Sequence, residues 1–114
     1  MFFNLPLLVI SKAKSFWITN RGIEGPPEIV IEIISPSNIF IDRNSKKKSY
    51  LDFGGQEYWI VDPGNKTLEI YTPQTGEDIP ILYLAEQGAV KSSVLVNLEF
   101  NLQETFSVNP WIPK

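Results

Sequence analysis

Glu32 lies in the middle of "EIVIEIISPSN" (positions 28–38), a carboxylate inside a run of isoleucine and valine. Such a run reads as a central β-strand, where an ionised group is costly unless it is paired or binds a metal. Two places are open to it: a solvated side of the sheet, or a site placed for chemistry. Strand alternation sets Glu28, Val30, Glu32 and Ile34 on one face. At ~3.3 Å per residue, Glu28 is roughly 13 Å from Glu32, so the two cannot ligate one ion. Downstream, Asp42, Lys46 and Tyr50 recur at helical spacing and project from one side of a predicted helix. With that side turned to the end of the strand, Lys46 approaches Glu32. A carboxylate holding Mg2+ beside a lysine that positions water or stabilises developing charge is a reasonable phosphodiester-cleaving core.

The same residues have plainer roles. Asp42 is also a good helix N-cap, and Asp42 with Lys46 is an ordinary surface pair one turn apart. Lys46, Lys47 and Lys48 read as a solvated helix face. Composition narrows the chemistry further. The chain has 114 residues, with no histidine and no cysteine. That excludes a thiolate nucleophile, a Ser-His-Asp triad and an ordinary structural zinc site. Catalysis would fall to Asp, Glu, Lys, Ser, Thr or Tyr with a hard cation such as Mg2+. A formal net charge of −3 argues against a generic nucleic-acid binder. DNA binding without cleavage would rest on Lys12, Lys14, Arg43, Lys46, Lys47 and Lys48.

The elements that must position these groups follow from pattern. At 43% apolar and 20% charged residues, one globular domain over 1–114 is expected. No leader peptide and no membrane span are expected, and the lack of cysteine fits a reducing cytoplasm. Residues 5–11 (LPLLVIS) predict a short strand, and 12–27 a turn-rich connection. Residues 29–34 are the strongest strand. A helix is predicted over 42–53, with Tyr50, Leu51 and Phe53 as its modest apolar face and Gly54-Gly55 as its stop. Strand, helix and strand make a βαβ-like unit with parallel neighbours. "EYWIVDPGNKTLEIYT" predicts a hairpin, with strands over 58–61 and 68–71. Runs at 79–84 and 94–98 would extend the antiparallel part, and 98–106 adds a short helix.

The stretch 22–63 then acquires a further meaning. "GIEGPPEIVIEIISPS", the helix with Asp42, Lys46 and Tyr50, and "QEYWIVDP" resemble the Uma-two family, the domain of unknown function numbered eight-twenty. That family is classed with restriction endonucleases of the PD-(D/E)XK superfamily. The resemblance extends more weakly to both ends of the chain. It implies an α+β, restriction-endonuclease-like fold: a mixed sheet with one main helix, truncated at the N-terminus relative to the family. It also implies a Mg2+-dependent DNA endonuclease, a hydrolase, with Glu32 as metal ligand and Lys46 as the catalytic lysine displaced onto the helix.

Two departures from the family pattern qualify the implied activity. The preceding strand in the family carries a metal-binding Asp after proline, and Leu7 stands at that place. One carboxylate is thereby lost, which implies an impaired or inactive site. The family also has a substantial part before this strand, so a sheet edge is expected to lie open here. An open edge invites pairing with another chain, and a homodimer or higher oligomer is expected. The alternative function is a non-catalytic oligomerisation or interaction module.

Overall fold

The isoleucine-rich run around Glu32 forms an interior strand of a sheet, one in from its edge, with the strand Glu57–Asp62 at the centre. The computed structural model describes residues 7–10, 15–16, 18–34, 43–76 and 79–106, excluding the side chains of 43–45. Five strands form one mixed sheet: β1 (Leu7–Val9), β4 (Ile29–Ile33), β5 (Glu57–Asp62), β6 (Thr67–Tyr71) and β7 (Leu82–Ala85), in that spatial order. β1 runs antiparallel to β4, β4 parallel to β5, and β5, β6 and β7 are successively antiparallel. Helix α1 (Arg43–Asp52) makes the crossover between the parallel strands, as the βαβ pattern predicts. Among the described residues no helix is long and apolar enough to cross a membrane.

Two buried clusters lie on opposite faces, as strand alternation requires. Val30, Ile34, Tyr58, Ile60 and Tyr71 face α1, which contributes Leu51 and the half-buried Tyr50. Ile29, Trp59, Val61, Leu68 and Ile70 pack on the other side against Val90 and Leu102. These last two come from a small outer layer, in which β8 (Ala89–Lys91) pairs with β9 (Glu99–Asn101) and leads into α2 (Leu102–Thr105). The arrangement is α+β with the sheet as its middle layer.

Several expectations change in detail. Within the connection, β2 (Ile18–Thr19) and β3 (Gly22–Ile23) form a minimal hairpin that two-residue strands conceal in the sequence. The strand expected over 79–84 starts later, at Leu82. The strand expected over 94–98 is absent. Instead Ser92 Oγ accepts from the backbone N–H groups of Val94 and Leu95, at 3.0 and 2.9 Å, which turns the chain out of β8. Phe53 is 73% exposed and does not join the apolar face of α1. The proposed N-cap Asp42 lies outside the described residues. The predicted glycine stop is present: Gly54 has φ +111° and the Gly55 N–H donates to Tyr50 O at 3.0 Å. A side chain at Gly55 would also collide with the Tyr50 ring, so position 55 must stay bare for the tyrosine to lie flat.

The outer layer is tied to the sheet by a second buried carboxylate, Glu57, which is 1% exposed. Its Oε1 accepts from Trp59 Nε1 at 2.9 Å and Ser92 Oγ at 2.8 Å. Its Oε2 accepts from Ser93 N at 2.7 Å and Ser93 Oγ at 2.6 Å. Four donors on two oxygens leave this carboxylate saturated, which is how a strand tolerates it inside. Glu57→Gln replaces one acceptor oxygen by a donor facing a serine. The expected loss is at least about 2 kcal/mol of unfolding free energy, read from the midpoint of urea denaturation.

Candidate functional site

Glu32 lies on the face covered by α1 and is 4% exposed. β4 fixes its height on the sheet through pairing with Ile60 of β5, and Tyr58 lies one pleat back on that same face. The Tyr58 hydroxyl donates to Glu32 Oε2 at 3.3 Å. From above, Lys46 of α1 brings its Nζ to 3.6 Å from Glu32 Oε1. The predicted approach of helix lysine to strand carboxylate is therefore present in the geometry. Lys46 is about half exposed while Glu32 is nearly enclosed, so the pair has one wet end and one dry end.

Tyr50 serves a different purpose. Its hydroxyl donates to Pro27 O at 2.6 Å, and its ring tilts at 52° against Tyr58, centroid to centroid 5.7 Å. That bond ties the C-terminal part of α1 to the residues entering β4. Burial pushes the phenol above its ordinary value, and nearby Glu57 and Glu28 add to the rise. Tyr50 thus stays protonated and structural.

Leu7 is not brought beside Glu32. The β1–β4 register sets Leu7 opposite Ile31, on the other face of the sheet, and its side chain is 54% exposed. A period of two governs this: residues directly paired across a sheet share a face, and neighbours along a strand alternate. The β1 residue on the Glu32 face is Leu8, paired with Val30 and a diagonal neighbour of Glu32. Asp42, Lys12 and Lys14 lie outside the described residues, as does the Arg43 side chain.

Lys47, read as part of a solvated face, is in fact 2% exposed. Its Nζ sits 3.5 Å from the centroid of the Tyr71 ring, a cation–π contact inside the protein. Tyr71 in turn donates its hydroxyl to Glu69 Oε1 at 3.0 Å. Glu69 pairs with Ile60, which pairs with Glu32, so the two acids flank one isoleucine on the α1 face. The sequence signals for Lys47, Tyr58 and Glu69 were faint. Strand alternation places Tyr58 and Glu69 correctly only once the register is known.

The donor set can be tested against a divalent cation. Mg2+ takes oxygen ligands and is usually held by one or two carboxylates with water and substrate phosphate. Among the described residues, no cluster of three or more acid, histidine or cysteine side chains is placed to hold a metal ion. Glu32 offers one carboxylate, with an ammonium against one oxygen and a phenol against the other. That set does not fit a preformed divalent-ion centre.

A mixed sheet with few helices is a fold of the restriction-endonuclease-like type. A solved structure shares it: the protein described as a putative nuclease belonging to DUF820 from Anabaena variabilis superposes with a TM-score of 0.60 at 21% identity. The match covers 78% of this chain and 51% of that one, so this chain spans about half the length of the solved protein. The chain belongs to the Uma2 family, described as "Putative restriction endonuclease", whose sequence pattern matches residues 8–104. No curated protein matches the chain.

The raised Tyr50 phenol has a consequence for stability. Above the ordinary tyrosine value near 10, the unfolded chain releases this proton while the folded chain retains it. The unfolded state then binds fewer protons, so stability falls as pH rises. Between about pH 9 and 11 the wild-type chain should lose more stability than Tyr50→Phe, measured by urea denaturation at each pH.

Proposed function

We propose that this chain is a metal-dependent DNA endonuclease-fold protein whose cleavage chemistry is impaired. The observation that carries the reading is the Glu32 site itself. Family membership supplies the expected reaction, phosphodiester hydrolysis with DNA as partner, and Glu32 and Lys46 are the acid and the lysine suited to it. Mg2+ would supply charge neutralisation at the phosphate when bound. A single carboxylate already engaged by Lys46 and Tyr58 is a poor start for holding that ion.

The residues themselves still have definable roles. Glu32, enclosed by the sheet and α1, would present Oε1 toward the wet end of the pair. Lys46, half exposed, would meet an incoming phosphate oxygen or orient a water. Tyr58 would hold the carboxylate's other oxygen in place.

A second reading is favoured by a separate observation. Among the described residues, β1 lies at the edge of the sheet, with Leu7 and Leu8 substantially exposed. An apolar edge of this kind suits pairing with a second copy, which would make the chain a non-catalytic oligomerisation module.

Calorimetric titration with Mg2+ and Mn2+ separates the outcomes, run on the wild-type chain, Leu7→Asp, Leu8→Asp and Glu32→Ala, with plasmid nicking assayed in parallel. The expected result is no saturable binding in the wild-type chain and binding gained in Leu8→Asp, where the new carboxylate shares the face of Glu32. Gain in Leu7→Asp instead would restore the motif-derived position. Saturable wild-type binding and nicking, both removed by Glu32→Ala, would overturn the impaired reading and show a working site. No gain in any variant, with a dimer by light scattering that Leu8→Lys dissociates, would favour the oligomerisation module.

A further inference from the structure

We infer that Lys47 is a positioning residue: its ammonium, seated on the Tyr71 ring, fixes the roll of α1 and so delivers Lys46 to Glu32. The inference rests on the reading of Glu32 and Lys46 as the functional pair.

Little else holds α1 against the sheet. Its sequence, RNSKKKSYLD, offers few apolar side chains. Among its residues with described side chains, the two that are buried are Lys47 and Leu51, one turn apart on the same face. Leu51 and the half-buried Tyr50 secure the C-terminal part, with Tyr50 tethered to Pro27 O. Toward the N-terminal part, Lys47 is the one described side chain that is buried against the sheet, while Lys46 reaches Glu32 half exposed.

A helix lying on a sheet has a rotational freedom about its own axis that only packed side chains remove. Each residue advances the direction by about 100°, so a modest roll would swing Lys46 off Glu32. A lysine is long enough to cross from α1 to β6, and the Tyr71 face is an acceptor for its charge. The carboxylate of Glu69, bonded to the Tyr71 hydroxyl at 3.0 Å, adds negative charge beside the ring. Two neighbouring lysines therefore divide the work: Lys46 is half exposed with its ammonium at Glu32, and Lys47 is enclosed with its ammonium at Tyr71.

The test is a double-mutant cycle that needs no enzymatic activity. Coupling between positions 32 and 46 is measured by urea unfolding of Glu32→Gln, Lys46→Met and the double variant. The cycle is run in the wild-type, Lys47→Met and Lys47→Arg backgrounds. In the wild-type background the coupling should be roughly fivefold in the unfolding equilibrium constant. Methionine keeps the length and the apolar stem of lysine but loses the charge, and the coupling should fall to about onefold. Arginine, which also stacks on aromatic rings, should restore it. A purely structural Lys47 would lower overall stability while leaving the 32–46 coupling intact, and that result overturns the inference. Absence of coupling in the wild-type background would instead overturn the reading of the pair, and the positioning role with it. Should Lys47→Met fail to fold, the same cycle is run in Tyr71→Leu and Tyr71→Phe. Loss in the first and retention in the second supports the ring as anchor, and equal coupling in both rejects it.

Discussion

Enclosing the Glu32 carboxylate in a β-branched strand is the constraint on which the α1 side of the molecule depends. An unpaired buried carboxylate costs several kcal/mol, on the order of the whole stability of a small domain. The strand can carry it only because a cation reaches it from outside the sheet. That cation is Lys46, so α1 must sit over β4 and β5 at one height and one roll. The remaining features of the helix follow from this: the glycine stop, the Tyr50 tether and the burial of Lys47 each remove a way in which α1 could drift. A short, strongly polar helix is otherwise a poor candidate for docking, since most helical stability in proteins comes from an apolar face.

The two buried carboxylates of the sheet show what distinguishes a pin from a site. Glu57 receives four donors at 2.6 to 2.9 Å, from its own strand and from Ser92 and Ser93. Every acceptor direction is used, and the group binds the outer layer to the sheet. Glu32 receives a phenol at 3.3 Å and an ammonium at 3.6 Å, both long for such partners. It is held without being saturated, and its lysine partner opens to solvent. Acids of the first kind stabilise; acids of the second kind keep the capacity to bind something else. The motif "EYW" belongs to both, giving Glu57 to one face and Tyr58 to the other.

Period and turn chemistry made much of the sheet readable. The β4 run, the β5–β6 hairpin around Asp62-Pro63-Gly64-Asn65 and the glycine stop of α1 all carry local signals. The Glu32–Lys46 approach was legible only as one option, conditional on the helix turning that side to the strand, beside a solvated face and an Asp42–Lys46 surface pair. What was illegible depends on contacts between distant residues. Nothing local to Glu57 announces Ser92 and Ser93, 35 and 36 residues away. Nor does a triple lysine disclose that its middle member is buried, because the acceptor is an aromatic ring on β6. The strand expected over 94–98 fails for the opposite reason: a single serine side chain, Ser92, satisfies two backbone N–H groups and overrides the strand propensity of the residues after it.

Register is the property that a motif cannot supply, and here it decides the chemistry. A motif fixes the order of residues, so Leu7 after Pro6 looks like the seat of the missing acid. A sheet fixes faces, and a displacement of one residue reverses every side chain of a strand. With Leu7 opposite Ile31, an acid at position 7 would emerge on the face of Ile29 and Trp59, separated from Glu32 by the thickness of the sheet. An acid at position 8 would emerge beside Val30, within diagonal reach of Glu32. The second carboxylate of a two-acid centre must therefore satisfy a parity condition in addition to a sequence pattern. β1 meets that condition at Leu8, and leucine there leaves Lys46 as the cation that Glu32 holds.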